Sequence, residues 1–174
     1  MKTAAQKKTF EALKGEFHYR SPMQAPKVTK IIVSAGVGSK FDPKKRELVK
    51  DRLAKITGQA PADRMAKKSI ATFKIRMGDP IGLQVTLHGA RMRAFFDKLI
   101  HIVLPRMKDF RGLKTETIDE MGNITIGIRE HIVFPETSDE DSKDIFGLAI
   151  TIVTTAKNKK EAEAFLRYVG LPLK

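Results

Sequence analysis

A chain of 174 residues with 41% hydrophobic side chains suits one folded domain that buries about two thirds of its unfolded surface. The absence of Cys excludes disulfides and thiolate metal sites and fits a reducing compartment. With 33 Lys and Arg against 20 Asp and Glu, the formal charge is +13, which points to a polyanionic partner, nucleic acid first.

The charge is unevenly spread. Residues 1–115 hold 26 basic and 9 acidic side chains, a net of +17, whereas residues 116–174 hold 7 and 11, a net of −4. The opening Met1-Lys-Thr-Ala-Ala-Gln-Lys-Lys has no apolar core of signal-peptide length. No run approaches the roughly 20 apolar residues of a membrane span, and no long helix sets basic residues opposite Trp or Phe. The expectation is a cytoplasmic protein that does not bind membranes.

Taken in order, residues 3–14 read as a short basic helix, and His18 to Lys27, with Pro22 and Pro26, as an extended connector. Val28 to Val33 reads as a strand. The turn Gly36-Val37-Gly38 leads to Asp42-Pro43, an N-cap followed by Pro at the first helical position. Leu48, Val49, Leu53 and Ile56 supply that helix's buried stripe, and Gly58 ends it.

Between Arg64 and Phe96 stand seven basic residues, Arg64, Lys67, Lys68, Lys74, Arg76, Arg91 and Arg93, and one acid, Asp79. Inside this stretch Ala71 to Arg76 alternates, which predicts a strand with Ala71, Phe73 and Ile75 inward and Thr72, Lys74 and Arg76 outward. After the turn Met77-Gly78-Asp79-Pro80, Ile81 to His88 alternates again, with Ile81, Leu83, Val85 and Leu87 inward. The two runs together predict a hairpin with one apolar face and one basic, polar face.

From Ala90 to Leu104, Met92, Phe95, Phe96, Leu99 and Val103 recur at helical spacing, with Pro105 near the end. Asn123 to Ile128 and Leu148 to Thr154 read as strands, separated by the acidic loop Glu136 to Asp144. A last helix opens with Asn158 and Glu161 in capping-box spacing, buries Ala162, Phe165, Leu166 and Val169, and closes at Gly170. The pattern predicts a single α+β domain over residues 1–174. Residues 1–27 form a helix and connector, and residues 28–174 form a mainly antiparallel sheet with helices packed on one face and the other face open.

Catalytic constellations are scarce. Gly36-Val37-Gly38 lies between a strand and a helix, but a dinucleotide-binding turn needs a third glycine where Phe41 stands, and Asp42 and Glu47 follow too soon to bind ribose. His18, His88, His101 and His131 show no metal-ligand spacing. Neither a cofactor, a metal nor an enzymatic activity is expected. The basic stretch is different, because almost no acid is interleaved and its outward neighbours Ser69, Thr72, Gln84 and Thr86 can bond sugar and phosphate. Parity places Phe73 in the core, although one aromatic among Lys and Thr can also stack on a base. His88, ending its strand on the polar face, is a candidate for phosphate contact.

These motifs, laid side by side, resemble the bacterial large-subunit ribosomal protein L-five family, which binds 5S rRNA. The resemblance is carried by Lys30-Ile-Ile-Val-Ser-Ala-Gly-Val-Gly38, Ile56-Thr-Gly-Gln-Ala-Pro61, Ala66-Lys-Lys-Ser-Ile-Ala-Thr-Phe-Lys-Ile-Arg76, Pro80-Ile-Gly82 and Val85-Thr-Leu87. It continues in Leu104-Pro-Arg-Met-Lys-Asp-Phe-Arg-Gly112, Gly122-Asn123, Gly127-Ile-Arg-Glu130, Phe134-Pro-Glu136 and Ile152-Val-Thr-Thr-Ala-Lys157.

The resemblance implies a structural, non-catalytic protein of the central protuberance that helps attach 5S rRNA to the large subunit. It implies rRNA contact at Gln59, Phe73 and Thr86, and at Ser34, where the family usually carries Asn. Arg64, Lys67, Lys68, Ser69, Lys74 and His88 complete the expected rRNA-binding set. The turn Arg76, Met77, Gly78 and Asp79 is implied to approach the elbow of P-site tRNA. The acidic loop, with Glu136, Asp139, Glu140 and Asp141, suits an intersubunit bridge to a basic protein of the small-subunit head. Other central-protuberance proteins are expected neighbours, and no homo-oligomer is expected. The competing reading is a sequence-tolerant RNA-binding protein outside the ribosome, disfavoured by only 7% aromatic residues and no Trp.

Overall fold

The computed structural model describes residues 2–38, 43–108, 110–137 and 145–174, with the backbone alone at residues 2–5 and 43. The expected α+β class holds, as an antiparallel five-stranded sheet in the order β2-β3-β1-β5-β4 accompanied by helices. The strands are β1 (Val28–Gly36), β2 (Ala62–Met65), β3 (Pro80–Leu87), β4 (Ile124–Ile128) and β5 (Leu148–Thr154). The helices are α1 (Lys2–Phe17), α2 (Pro43–Thr57), α3 (Gly89–Lys98), a single turn α4 (Leu104–Arg106) and α5 (Lys159–Tyr168).

Side-chain alternation gives each long strand a buried row, Ile31, Val33 and Ala35 in β1, Leu83, Val85 and Leu87 in β3, Ile124, Ile126 and Ile128 in β4, and Leu148, Ile150 and Ile152 in β5. The opposite row, which includes Ser34, Gln84 and Thr86, stays half-exposed. One face is thus core and the other is open.

The chain divides into two compact units. The first comprises residues 1–31, 108–126 and 151–174. In it α1 packs on α5, and the buried Glu161 accepts a bond from Tyr19 Oη at 2.5 Å and another from the Lys157 N–H at 2.7 Å. Burial, and then this bond to Glu161, drive the Tyr19 pKa well above the usual phenol range. Asn158 occupies the N-cap position without a side-chain capping bond, and Glu161 reaches back one residue further than in a capping box, to the Lys157 N–H just ahead of the helix. Lys174 N–H donates to Leu113 O at 2.7 Å and Leu113 N–H to Pro172 O at 2.8 Å, which ties down the last residues.

The second unit comprises residues 32–107 and 127–150, and α2 lies against β3 in it. Val49, Leu53 and Ile56 are buried as the periodicity predicts, Leu48 is half-buried, and α2 starts at Pro43 and stops at Gly58. Asp42, the expected N-cap, lies outside the described residues. Lys98 Nζ, over the Phe95 and Phe134 rings, donates to Ile56 O at 2.7 Å and pairs with Glu136 at 2.5 Å. His131 is buried and stacks on Phe146 with ring centroids 4.2 Å apart, and its Nδ1 accepts the Phe146 N–H at 3.4 Å.

Two elements differ from the sequence reading. The stretch Ala71 to Arg76 is not a strand: Ala71–Phe73 is a 3-10 turn, Lys74 is left-handed at φ 53°, and the pairing is reduced to the single bridge Ile70↔Ile75. The hairpin partner of β3 is instead β2, in the register Ala62↔Gln84, Asp63↔Leu83, Arg64↔Gly82. Ala66 N–H to Asp79 O at 2.8 Å and Gly78 N–H to Ala66 O at 3.0 Å close the base of the intervening loop, which holds residues 66–79 off the ladder. Ala71 and Phe73 are therefore exposed, Phe73 at 64%, and the inward placement by parity is overturned.

The predicted helix Ala90 to Leu104 is the second difference. It is α3, then a π-helical segment Leu99–Val103, then α4. Pro105 brings no N–H and its ring crowds the carbonyl four residues back, so the ladder widens there. Leu104 N–H accordingly reaches Leu99 O, five residues back. The apolar stripe survives, with Met92, Phe95, Phe96, Leu99 and Val103 all buried.

Candidate nucleic-acid interface

All the residues expected to meet RNA lie within the second unit, on the open row of the sheet, the segment after α2, the loop 66–79 and the start of α3. Strand alternation decides which charges reach that face. Asp63 turns towards α2, where it meets Arg46 at 3.6 Å, while its neighbour Arg64 lies in the open row with Gly82 and Gln84. Asp63, the acid just ahead of the basic stretch, is thus placed on the opposite side of the strand from Arg64.

On the open side Arg64 Nε donates to Gln84 Oε1 at 2.5 Å. Gln59, just after α2, donates from Nε2 to Thr86 O at 3.3 Å and accepts from Arg91 Nη1 at 3.5 Å. The Thr86 hydroxyl is half-buried and has no hydrogen-bond partner among the described residues. Ser34 Oγ sits 3.5 Å from Ala149 O. His88 is exposed at the residue before α3 rather than at the end of the strand.

The loop is a built structure rather than a floppy tail. Ile70 and Ile75 exchange backbone bonds of 2.9 and 3.2 Å, Ser69 Oγ accepts the Met77 N–H at 3.0 Å, and Asp79 Oδ2 accepts the Arg76 N–H at 2.7 Å. Asp79 is therefore turn chemistry, which accounts for an acid at the tip of a basic loop. Around it Lys67, Lys68, Lys74 and Arg76 are exposed and have no ion-pair partner among the described residues. Exposed apolar groups, Met65, Ile70, Phe73 and Met77, stand among these cations.

The Gly36 to Gly38 turn offers nothing to a nucleotide phosphate, because Val37 N–H and Gly38 N–H both donate to Ile81 O, at 3.0 and 3.1 Å. Among the described residues no cluster of His, Asp or Glu has metal-site geometry, and no helix is long and apolar enough to cross a membrane.

Residues 21–76 match the family described as "Ribosomal protein L5", and residues 80–173 match the C-terminal region of the same ribosomal family. The chain belongs to the ribosomal protein L5 family. It is 47% identical over 177 residues to the large ribosomal subunit protein uL5 of Thermotoga sp. (strain RQ2), covering 100% of this chain and 95% of the relative. It is 45% identical over 173 residues to uL5 of Ureaplasma urealyticum serovar 10, covering 99% and 94%, and 46% identical over 160 residues to uL5 of Anaeromyxobacter sp. (strain K), covering 91% and 89%. An L5-family chain is a structural protein of the large ribosomal subunit, active in translation on the cytoplasmic ribosome, and not an enzyme.

Within this L5-family fold the expected residues fall into two groups. Ser34, Gln59, Arg64 and Thr86 share the open row and its border, whereas Lys67, Lys68, Ser69, Phe73, Lys74 and Arg76 to Asp79 belong to the closed loop. Glu136 stands apart, already paired with Lys98, and Asp139, Glu140 and Asp141 lie outside the described residues. Two polar partners escaped assignment from sequence. Gln84 was legible only as an outward strand residue able to bond sugar or phosphate, and Arg91 only as a charge; the pairing of Gln84 with Arg64 required the register of β2 on β3, and that of Arg91 with Gln59 the tertiary fold.

Proposed function

We propose that this unit binds 5S rRNA and helps attach it in the central protuberance of the large subunit. What supports the reading is the group of exposed cations without ion-pair partners among the described residues, Lys67, Lys68, Lys74 and Arg76, held on a hydrogen-bonded loop around an exposed Phe73. The cations supply attraction to phosphates. Phe73 offers a ring face for a base, and Gln59 and Thr86 offer fixed hydrogen-bonding groups. Ser34 brings a donor and an acceptor with less reach than the family's usual Asn. His88 and Ser69 border the same surface.

The test is a salt titration of 5S rRNA binding against a size-matched random RNA. Specific recognition gives a gap of several kcal/mol that survives at moderate salt; equal affinities would overturn it and favour a sequence-tolerant binder outside the ribosome.

By the same reasoning the loop tip, Arg76 to Asp79, faces P-site tRNA, with Arg76 as the attracting group. The acidic stretch including Asp139, Glu140 and Asp141 forms the intersubunit bridge to a basic protein of the small-subunit head. Changing those three acids to Lys is expected to weaken subunit association while sparing 5S rRNA affinity, and unchanged association would reject the bridge assignment. Glu136, neutralised by Lys98, acts at the foot of that stretch as an anchor.

A further inference from the structure

Among the described residues, four arginines meet two kinds of partner. Arg46 and Arg167 are paired with carboxylates, Asp63 and Glu163, at 3.6 and 2.9 Å. A carboxylate fixes the guanidinium but cancels its charge. On the open face Arg64 is held by an amide, Gln84, at 2.5 Å, and near the start of α3 Arg91 Nη1 lies 3.5 Å from the Gln59 amide oxygen. An amide oxygen fixes a guanidinium without cancelling anything.

Arg64 uses its single Nε–H, which leaves both Nη groups, the two-pronged end that matches a phosphate, unused within this couple. Gly82 stands directly across from Arg64 and carries no side chain, so the long Arg64 stem lies over an unobstructed stretch of β3 to reach Gln84. A Cβ at position 82 would also come within 3.2 Å of Ala35 O, so the gap cannot be filled without displacement.

We infer that Gln84 is a positioning residue that holds Arg64 as a pre-aimed, fully charged fork for an RNA phosphate. The inference rests on the RNA-binding reading and extends it, since it gives Gln84 a role in that site. Holding the side chain before binding lowers the ordering cost of contact. Keeping it unpaired by acid leaves its full electrostatic share for counterion release.

The experiment measures affinity and salt slope for Gln84→Ala, Gln84→Glu, Arg64→Lys and Arg64→Ala in the full chain, each on 5S rRNA and on random RNA, with thermal melts to establish folding. Gln84→Ala is expected to weaken 5S rRNA binding about two- to tenfold with an unchanged slope, because the charge remains while its aim is lost. Gln84→Glu is expected to lower the slope by roughly one phosphate contact, as Arg64→Ala does, because the new carboxylate cancels Arg64. Arg64→Lys is expected to keep the slope and lose affinity, since an ammonium has no fork.

Wild-type slope and affinity in folded Gln84→Glu would overturn the inference, and so would a Gln84→Ala variant indistinguishable from wild type. The RNA-binding reading fails separately, on equal wild-type affinities for the two RNAs. In that case the slope change on random RNA still decides whether Gln84 governs the charge of Arg64.

Discussion

Phe73 is the residue whose environment separates fold from function most cleanly. It is 64% exposed, so removing its ring costs the fold little. Phe73→Ala is therefore expected to shift unfolding free energy by no more than about 0.5 kcal/mol while weakening 5S rRNA binding by about 1–3 kcal/mol through lost stacking. Urea titration and RNA titration of the same variant check both halves. His131 is the opposite case, a buried group tied to folding. Burial, and then the nearby Arg52 guanidinium, hold its pKa below the usual imidazole value. The folded chain thus refuses a proton that the unfolded chain takes up below about pH 6.5. Stability from this group is complete above that pH and is lost as pH falls towards the depressed folded value. The urea midpoint is expected to drop between about pH 7.5 and about pH 5.5, and His131→Gln should flatten that dependence.

At the scale of elements, the entry to β4 shows how tightly a turn and a helix can be joined. Gly122 has φ +78°, and a Cβ there would meet Ala156 Cβ at 2.9 Å and Ala162 Cβ, on α5, at 3.2 Å. Its carbonyl also accepts the Thr154 hydroxyl at 2.6 Å, so the backbone has no freedom to retreat. Gly122→Ala combines left-handed strain with overpacking and should cost about 2–4 kcal/mol of stability. A urea denaturation curve within about 0.5 kcal/mol of wild type would show that α5 yields more readily than this packing allows. The loop 66–79 makes a different point about elements. Its alternating sequence reads as a strand, yet Ala66, Gly78 and Asp79 use their backbone groups to close the loop base. Alternation over so short a run is too weak a signal to compete with that closure.

For the whole molecule, the governing quantity is the segregation of charge. The basic excess of residues 1–115 is not an average property, because several of their acids are paired or used locally, Asp63 with Arg46, Asp51 with Lys55 and Asp79 with its own turn. The cations of the loop are left to act on a partner. Replacing both Lys67 and Lys68 by Ala is expected to flatten the salt dependence of RNA binding by roughly two phosphate contacts, and by a similar amount on 5S and random RNA. A slope change confined to 5S rRNA would instead mark these lysines as groups that recognise a particular fold of RNA.

Local periodicity, turn chemistry and ordered motifs were enough for the α+β class, the existence of β1, β3, β4 and β5, the buried row of β3, the stripe from Met92 to Val103, the helix ends at Gly58 and Gly170, and the family. The sign and place of the basic stretch were equally legible in the chain. Folding in three dimensions was needed to settle that Ala62–Met65, and not Ala71 to Arg76, pairs with β3, and with that choice the fate of nearly every residue in the interface. Pairing is a competition for backbone partners between segments distant in the chain, which no local pattern records. That competition turned Phe73 outward, placed Asp63 and Arg64 on opposite sides of one strand, and brought Gln84 to Arg64, where an amide holds the guanidinium and leaves its charge intact.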